Sequence, residues 1–235
     1  MTANEILEKL KTLGSESTKK VLLKHGAREP FYGVKIEELK KIQKIVKKDH
    51  QLAIELYDSG VSDAMYLAGL IADETKMTKS DLQRWADNAY WSMLSEYTVA
   101  WVSAESKYGK ELALEWIDNP DERLATVGWS TLSGIVSLQP DEAIDKELIR
   151  SLLDRVEREI HSVPDRVRYV MNGFVIAVGA YIPSLTDYTI DLGNRIGTVK
   201  VNMGDTACKV PSIPVYIEKV RQKGNLGRKK KTVRC

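Results

Sequence analysis

Two features of this sequence carry residue types at spacings that would do chemistry. The first is Tyr90-Trp91-Ser92-Met93-Leu94-Ser95-Glu96-Tyr97, which opens a predicted helix. Residues three and four apart lie side by side on a helix, so Trp91, Ser95 and Thr98 share one face. An indole face attracts positive charge, as a carboxylate does. The position after the indole on that face is a serine, which has no charge to offer. The second is Arg123, which follows Pro120-Asp121-Glu122 at a helix start. A guanidinium there would grip a phosphate with its planar fork. Each feature also has a plainer reading. Trp91 would pack a junction between helices, as Trp85, Trp101, Trp116 and Trp129 are read to do. Arg123 would pair at the surface with Asp121 or Glu122, which is worth little. Phe174, in Met171-Asn172-Gly173-Phe174, sits beside Val170, Val175 and Val178 and reads as core.

The elements that must hold these residues are helices almost throughout. Ile6, Leu7, Leu10 and Leu13 mark a first helix, with Thr2 as its cap. A loop at Ala27–Val34 is punctuated by Pro30 and Gly33. The helix Lys35–Lys48 turns Ile36, Leu39, Ile42 and Val46 inward and Lys40, Lys41, Lys44, Lys47 and Lys48 outward. Ile144, Leu148, Leu152, Val156 and Ile160 step every fourth residue along a long helix. Pro120 and Pro164 suit the first turns of two others. Gly197–Gly204 alternates like a strand but is short, and is read as an extended loop able to pair as a small hairpin with Cys208-Lys209-Val210. Antiparallel helix pairs recurring about every 35–45 residues predict an all-α chain, an α-α superhelix of HEAT-like repeats. No linker divides it, so residues 1–223 form one curved domain, followed by a basic tail at 224–235.

Composition narrows the classes further. Hydrophobic residues make up 43% and charged residues 29%, an ordinary folded profile. No apolar run approaches the ~18 residues that span a bilayer. The start, Met1-Thr2-Ala3-Asn4-Glu5-Ile6, lacks the pattern of a signal peptide. Cys208 and Cys235 make no disulfide framework and no zinc spacing, so a reducing cytoplasm is expected. His25, His50 and His161 are scattered, and no metal or other cofactor is expected. Walker, GxGxxG, HExxH, GxSxG and CxxC patterns are absent. The net charge of +2 conceals an asymmetry. Residues 1–50 carry 12 basic groups against 7 acidic, residues 51–160 carry 10 against 21, and residues 219–235 carry 8 against none. Basic ends of this kind suit a polyanion partner or are simply solvated.

Several stretches together resemble the DNA alkylation repair proteins, the AlkD-like HEAT-repeat DNA glycosylases. They are Arg28-Glu29-Pro30-Phe31-Tyr32-Gly33-Val34, Tyr90-Trp91, Glu122-Arg123-Leu124-Ala125, Met171-Asn172-Gly173-Phe174 and the ending from Cys208-Lys209-Val210-Pro211 to Gly227-Arg228-Lys229-Lys230-Lys231-Thr232. The resemblance covers nearly the whole chain, and it rests on their order and spacing. It implies a solenoid whose concave face cradles DNA, double-stranded, damaged or branched. It also implies cofactor-free removal of N3- and N7-alkylated purines, through an aromatic cleft and a carboxylate that stabilise a cationic sugar. Carried over by position, Trp91 is the cleft tryptophan, Arg123 the backbone-binding arginine, and Phe174 stands where a second tryptophan is expected. Ser95 stands where the catalytic aspartate is expected. Glu96 is the nearest carboxylate, but one helical step turns it about 100° away. Lys40, Lys44 and Lys47, with Arg228, Lys229 and Lys230 of the tail, are expected to meet phosphates. The alternative is a non-catalytic helical-repeat scaffold that binds a protein partner.

Overall fold

The computed structural model describes residues 1–204 and 206–234. Thirteen α-helices are found there: α1 (Ala3–Leu13), α2 (Glu16–Lys24), α3 (Ile36–Val46), α4 (His50–Asp58), α5 (Ser62–Ile71), α6 (Lys79–Asp87), α7 (Ala100–Glu105), α8 (Gly109–Trp116), α9 (Glu122–Leu138), α10 (Lys146–Glu159), α11 (Asp165–Tyr181), α12 (Thr186–Ile196) and α13 (Ile213–Gln222). A π-turn, Leu94–Val99, runs straight into α7. Among the described residues there is no strand, and 197–204 is extended loop without the hairpin.

Local chemistry fixes the boundaries. Thr2 and Thr78 close capping boxes on α1 and α6. Asp49, Asp121 and Asp145 accept from the first turns of α4, α9 and α10, satisfying N–H groups that have no partner within the helix. α10 is amphipathic, burying Ile149, Leu152, Leu153 and Val156 beneath a charged outer face. By contrast every residue of α5 is buried, as expected of a helix that is apolar all round.

The helices pair as an α-solenoid requires. α5, the π-turn with α7, α9 and α11 run side by side as an inner layer, and α4, α8 and α10 back onto them. The inner helices approach closely because small residues sit at their crossings. A Cβ added to Gly69 of α5 would stand 2.7 Å from the Thr98 methyl on the π-turn. The core runs as two contiguous clusters. One is centred on Tyr57 stacked on Trp85, with centroids 4.1 Å apart, and the other on Trp129 against Phe174 at 5.2 Å.

The segment after α13 turns back along the inner layer. Gly227, at φ 72° in the left-handed region that favours glycine, makes the turn. Its N–H donates to Ala180 O at the end of α11, and Lys230 N–H donates to Ser137 O at the end of α9. Val233 N–H donates to Glu105 at the end of α7, and Arg234 Nη1 to Ala72 O at the end of α5. The segment thus straps together the C-terminal ends of four successive inner helices, where unpaired carbonyls and the negative end of each helix dipole collect.

Candidate functional site

At the opposite, N-terminal ends of the inner helices lies a groove of about 1020 Å³. The start of α5 builds its wall. The Asp63 carboxylate accepts from Tyr32 N–H at 2.6 Å and Val34 N–H at 2.8 Å, pinning the loop before α3. Burial pushes the Asp63 carboxyl up, against the pull of these backbone donors. The Trp91 indole N–H donates to Ser62 Oγ at 2.7 Å. The Tyr90 hydroxyl lies 3.0 Å from Pro30 O and 3.1 Å from Gly60 O. Trp91 is therefore both a packing residue and part of the groove wall, only 7% exposed and held by its edge.

The π-turn sets where the side chains after Trp91 point. Its backbone bonds span one residue more than those of an α-helix and widen the coil. Ser95 and Glu96 both line the groove as a result, which corrects the expectation that Glu96 is turned away. The Ser95 hydroxyl reaches only carbonyls of its own turn, Trp91 O at 3.5 Å and Ser92 O at 3.4 Å. Glu96 is buried and paired. Arg166 Nε donates to Glu96 Oε1 at 2.7 Å, and Nη2 bonds the same oxygen. Burial pushes the Glu96 carboxyl up to about 7, against the opposing pull of Arg166. Arg166 N–H also donates to Glu122 at 2.9 Å, and its guanidinium lies 4.5 Å from the Tyr169 ring.

The other expected site residues are dispersed. Arg123 lines the groove, and Asp121 holds it through contacts of 2.6 and 3.2 Å. That surface pair is its plainer reading, and it is formed at the edge of the groove. Phe174 is fully buried against Trp129, and a place on the groove wall is corrected to core. The groove-facing residues of α11 are Arg166 and Tyr169; Gly173 continues their row beyond the groove, and Phe174 falls one helical step off it. Lys40, Lys44 and Lys47 do not line the groove, to which α3 gives only Ile36. Lys229 is turned inward, 3.0 Å from Asp141 and from Val136 O, so it is not a free phosphate ligand. Arg228 and Lys230 are exposed on the strap. Cys235 lies outside the described residues.

The residues alone did not single out several of the groove's members. Tyr97, Trp101 and Tyr66 form an edge-to-face cluster with centroids 5.5 and 5.6 Å apart, so Trp101, read as packing alone, also faces the groove. Arg166 and Tyr169 were missed. The signal was present, because Pro164-Asp165-Arg166 repeats the arrangement of Pro120-Asp121-Glu122-Arg123 at the start of the next inner helix. The groove thus presents Lys24 and Arg28 with aromatic edges, and Arg123 and Arg166 at the N-termini of α9 and α11, where backbone N–H groups favour anions.

The chain is similar to known proteins. Residues 6–187 match the family model described as DNA alkylation repair enzyme. An uncharacterised protein of Listeria innocua is 33% identical over 231 residues, covering 96% of this chain and 100% of that one. An uncharacterised protein of Listeria monocytogenes is 32% identical over 229 residues, covering 95% and 99%. A solved structure is 36% identical, covers 100% of both chains and superposes with a TM-score of 0.91. It represents a family of proteins related to the HEAT-like repeat DNA glycosylases with affinity for branched DNA structures.

Proposed function

The chain belongs to the DNA alkylation repair enzyme family, and from that premise we propose that it binds branched or damaged DNA in the groove without excising bases. The observation that carries this reading is the Glu96–Arg166 pair. Loss of an alkylated purine leaves a cationic sugar, and its stabilisation needs a carboxylate whose charge is uncompensated. Ser95 has no such charge. Glu96 lies in the groove, but Arg166 neutralises its charged form, and burial pushes its carboxyl up to about 7, so that about half of it carries no charge at neutral pH. What remains suits recognition. Arg123, Arg28 and Lys24 would meet phosphates. Tyr97 and Trp101 would take an unstacked base at a junction or lesion.

Fluorescence anisotropy on a three-way junction and a linear duplex of the same length tests this. The junction is expected to bind at least fivefold tighter, with affinity falling steeply as salt rises. Arg123→Ala and Arg28→Ala should each weaken it several-fold. Equal, salt-insensitive binding of both would overturn the reading. Release of free base from an N7-methylguanine duplex above the uncatalysed rate would return the groove to catalysis.

A further inference from the structure

The groove is not the only cationic concavity among the described residues. A second hollow of about 740 Å³ lies between the strap, the C-terminal half of α11 and α13. Lys223, Arg228, Lys229, Lys230 and Lys231 line it, and no acidic residue does. Four of these cations are not tied to a carboxylate. Among the described residues Lys223, Arg228 and Lys231 have no acidic partner, and Lys230 lies 5.8 Å from the Tyr181 ring. Lys229, held by Asp141, is the exception that anchors the segment. The Gly227 and Lys230 N–H groups fix the backbone on either side of Arg228 and Lys229, so this part of the strap is seated before any ligand arrives.

The floor and rim add a second chemistry. The floor is α11, where Gly173, Ile176, Ala177 and Ala180 leave a low surface, and a Cβ on Gly173 would meet nothing within 4 Å. Tyr181 and Tyr216 stand at the rim, Tyr216 being 47% exposed. Rings beside a cationic track are what a nucleic-acid single strand requires, since bases stack on the rings while phosphates follow the cations. The hollow follows the groove along the same helix face. Arg166 and Tyr169 of the groove and Gly173 and Ala177 of the hollow share one face of α11, with Tyr169 and Gly173 about 6 Å apart along its axis at 1.5 Å per residue.

We propose that this hollow binds an unpaired DNA strand leaving a duplex or junction seated in the groove. The strand's phosphates contact Lys223, Arg228 and Lys231, and a base stacks on Tyr216. The inference rests on the DNA-binding reading of the groove and extends it by a second site with its own ligand.

The test uses the full chain with a labelled 12-nucleotide oligothymidine, a duplex bearing a single-stranded flap of that length, and the plain duplex. The triple variant Lys223→Gln, Arg228→Gln, Lys231→Gln should lose at least tenfold in affinity for the oligothymidine. Its log–log salt slope should fall by about 2, as expected for three single-strand phosphate contacts. Flap affinity should fall toward that of the plain duplex, and the plain duplex should change less than twofold. Tyr216→Ala, which removes a ring and no charge, should cost the oligothymidine roughly five- to tenfold. Melting temperatures equal to the parent's show that the variants fold. If the parent binds duplex and flap but the triple variant and Tyr216→Ala leave oligothymidine affinity unchanged, the hollow is not a strand site and the groove reading stands. If the parent binds none of the three DNAs at low salt, both readings fall.

Discussion

The two ends of the inner helices solve opposite electrostatic problems. At the N-terminal ends the backbone already presents N–H groups and the positive end of the dipole. Acidic side chains are tolerated there, and Asp121, Glu122 and Glu96 sit among the arginines of the groove. At the C-terminal ends the backbone presents carbonyls, and the chain returns a basic segment to meet them. Arg234 is the clearest case. It donates to Ala72 O and to Glu74 at 2.7 Å, and its Nε lies 2.8 Å from Glu105 Oε2 as a charge contact without hydrogen-bond alignment. Burial alone would raise the Glu74 carboxyl, but the bond from Lys48 and the charges of Arg234 and Lys48 hold it below its ordinary value. The groove therefore adds helix ends to its side-chain cations, whereas the strap sets side-chain cations against helix ends. Arg234 serves cohesion at one end, and Arg123 at the other is proposed to serve binding.

Arg234→Ala should break that contrast most severely. Only 7% of its side chain is exposed, and its loss leaves Glu105 and a carbonyl without their cation. Breaking a buried pair from one side costs about 3–5 kcal/mol. At roughly 2–4 °C per kcal/mol for a chain of this size, the melting temperature should fall by about 6–20 °C. Arg123→Ala, whose side chain is 44% exposed, should shift it by less than about 2 °C while weakening DNA binding. A melt in which Arg123→Ala is the worse of the two would reverse the assignment of binding and cohesion.

Glu96→Gln should have the next largest effect, and pH reveals it. The folded state holds the Glu96 proton up to about 7, whereas the unfolded chain releases it near 4.5. Between those values the folded state binds more protons, so stability is highest below about pH 4.5 and is lost as pH rises through about 7. The loss from this one group is roughly 3 kcal/mol. Asp63, also raised, acts with the same sign. Melting temperatures from pH 5 to 8 should fall for the parent and fall less for Glu96→Gln. A parallel pair of curves would mean that Glu96 stays ionised throughout.

The helical layout was legible because its signals are local. The 3–4 spacing in α1, the four-residue steps of α10 and the prolines before α9 and α11 placed those helices within a few residues. Trp91 and Arg123 were legible through their family positions. The core place of Phe174 was legible from its own neighbours, against the cleft position that the resemblance implies. Two features were not, each for a physical reason. The π-turn leaves no mark in Leu94-Ser95-Glu96-Tyr97-Thr98-Val99, where Thr98 lies against Gly69 of α5, a contact between distant segments. The strap reads as a solvated basic tail because its partners are carbonyls and carboxylates 90 to 160 residues away in sequence.

The smallest expected effect belongs to Ser95→Ala, and it sharpens the contrast within the groove. The Ser95 hydroxyl makes only contacts of 3.4 and 3.5 Å to carbonyls of its own turn. Bonds of that length contribute little, and alanine favours a helix at least as well as serine. Stability should change by less than about 0.5 kcal/mol. Junction affinity should stay within twofold, because a hydroxyl that is 3% exposed and turned to its own backbone reaches no phosphate. An affinity loss of tenfold would make Ser95 a direct DNA contact. The position would then serve recognition in its own right, instead of marking where a charge is absent beside the paired Glu96.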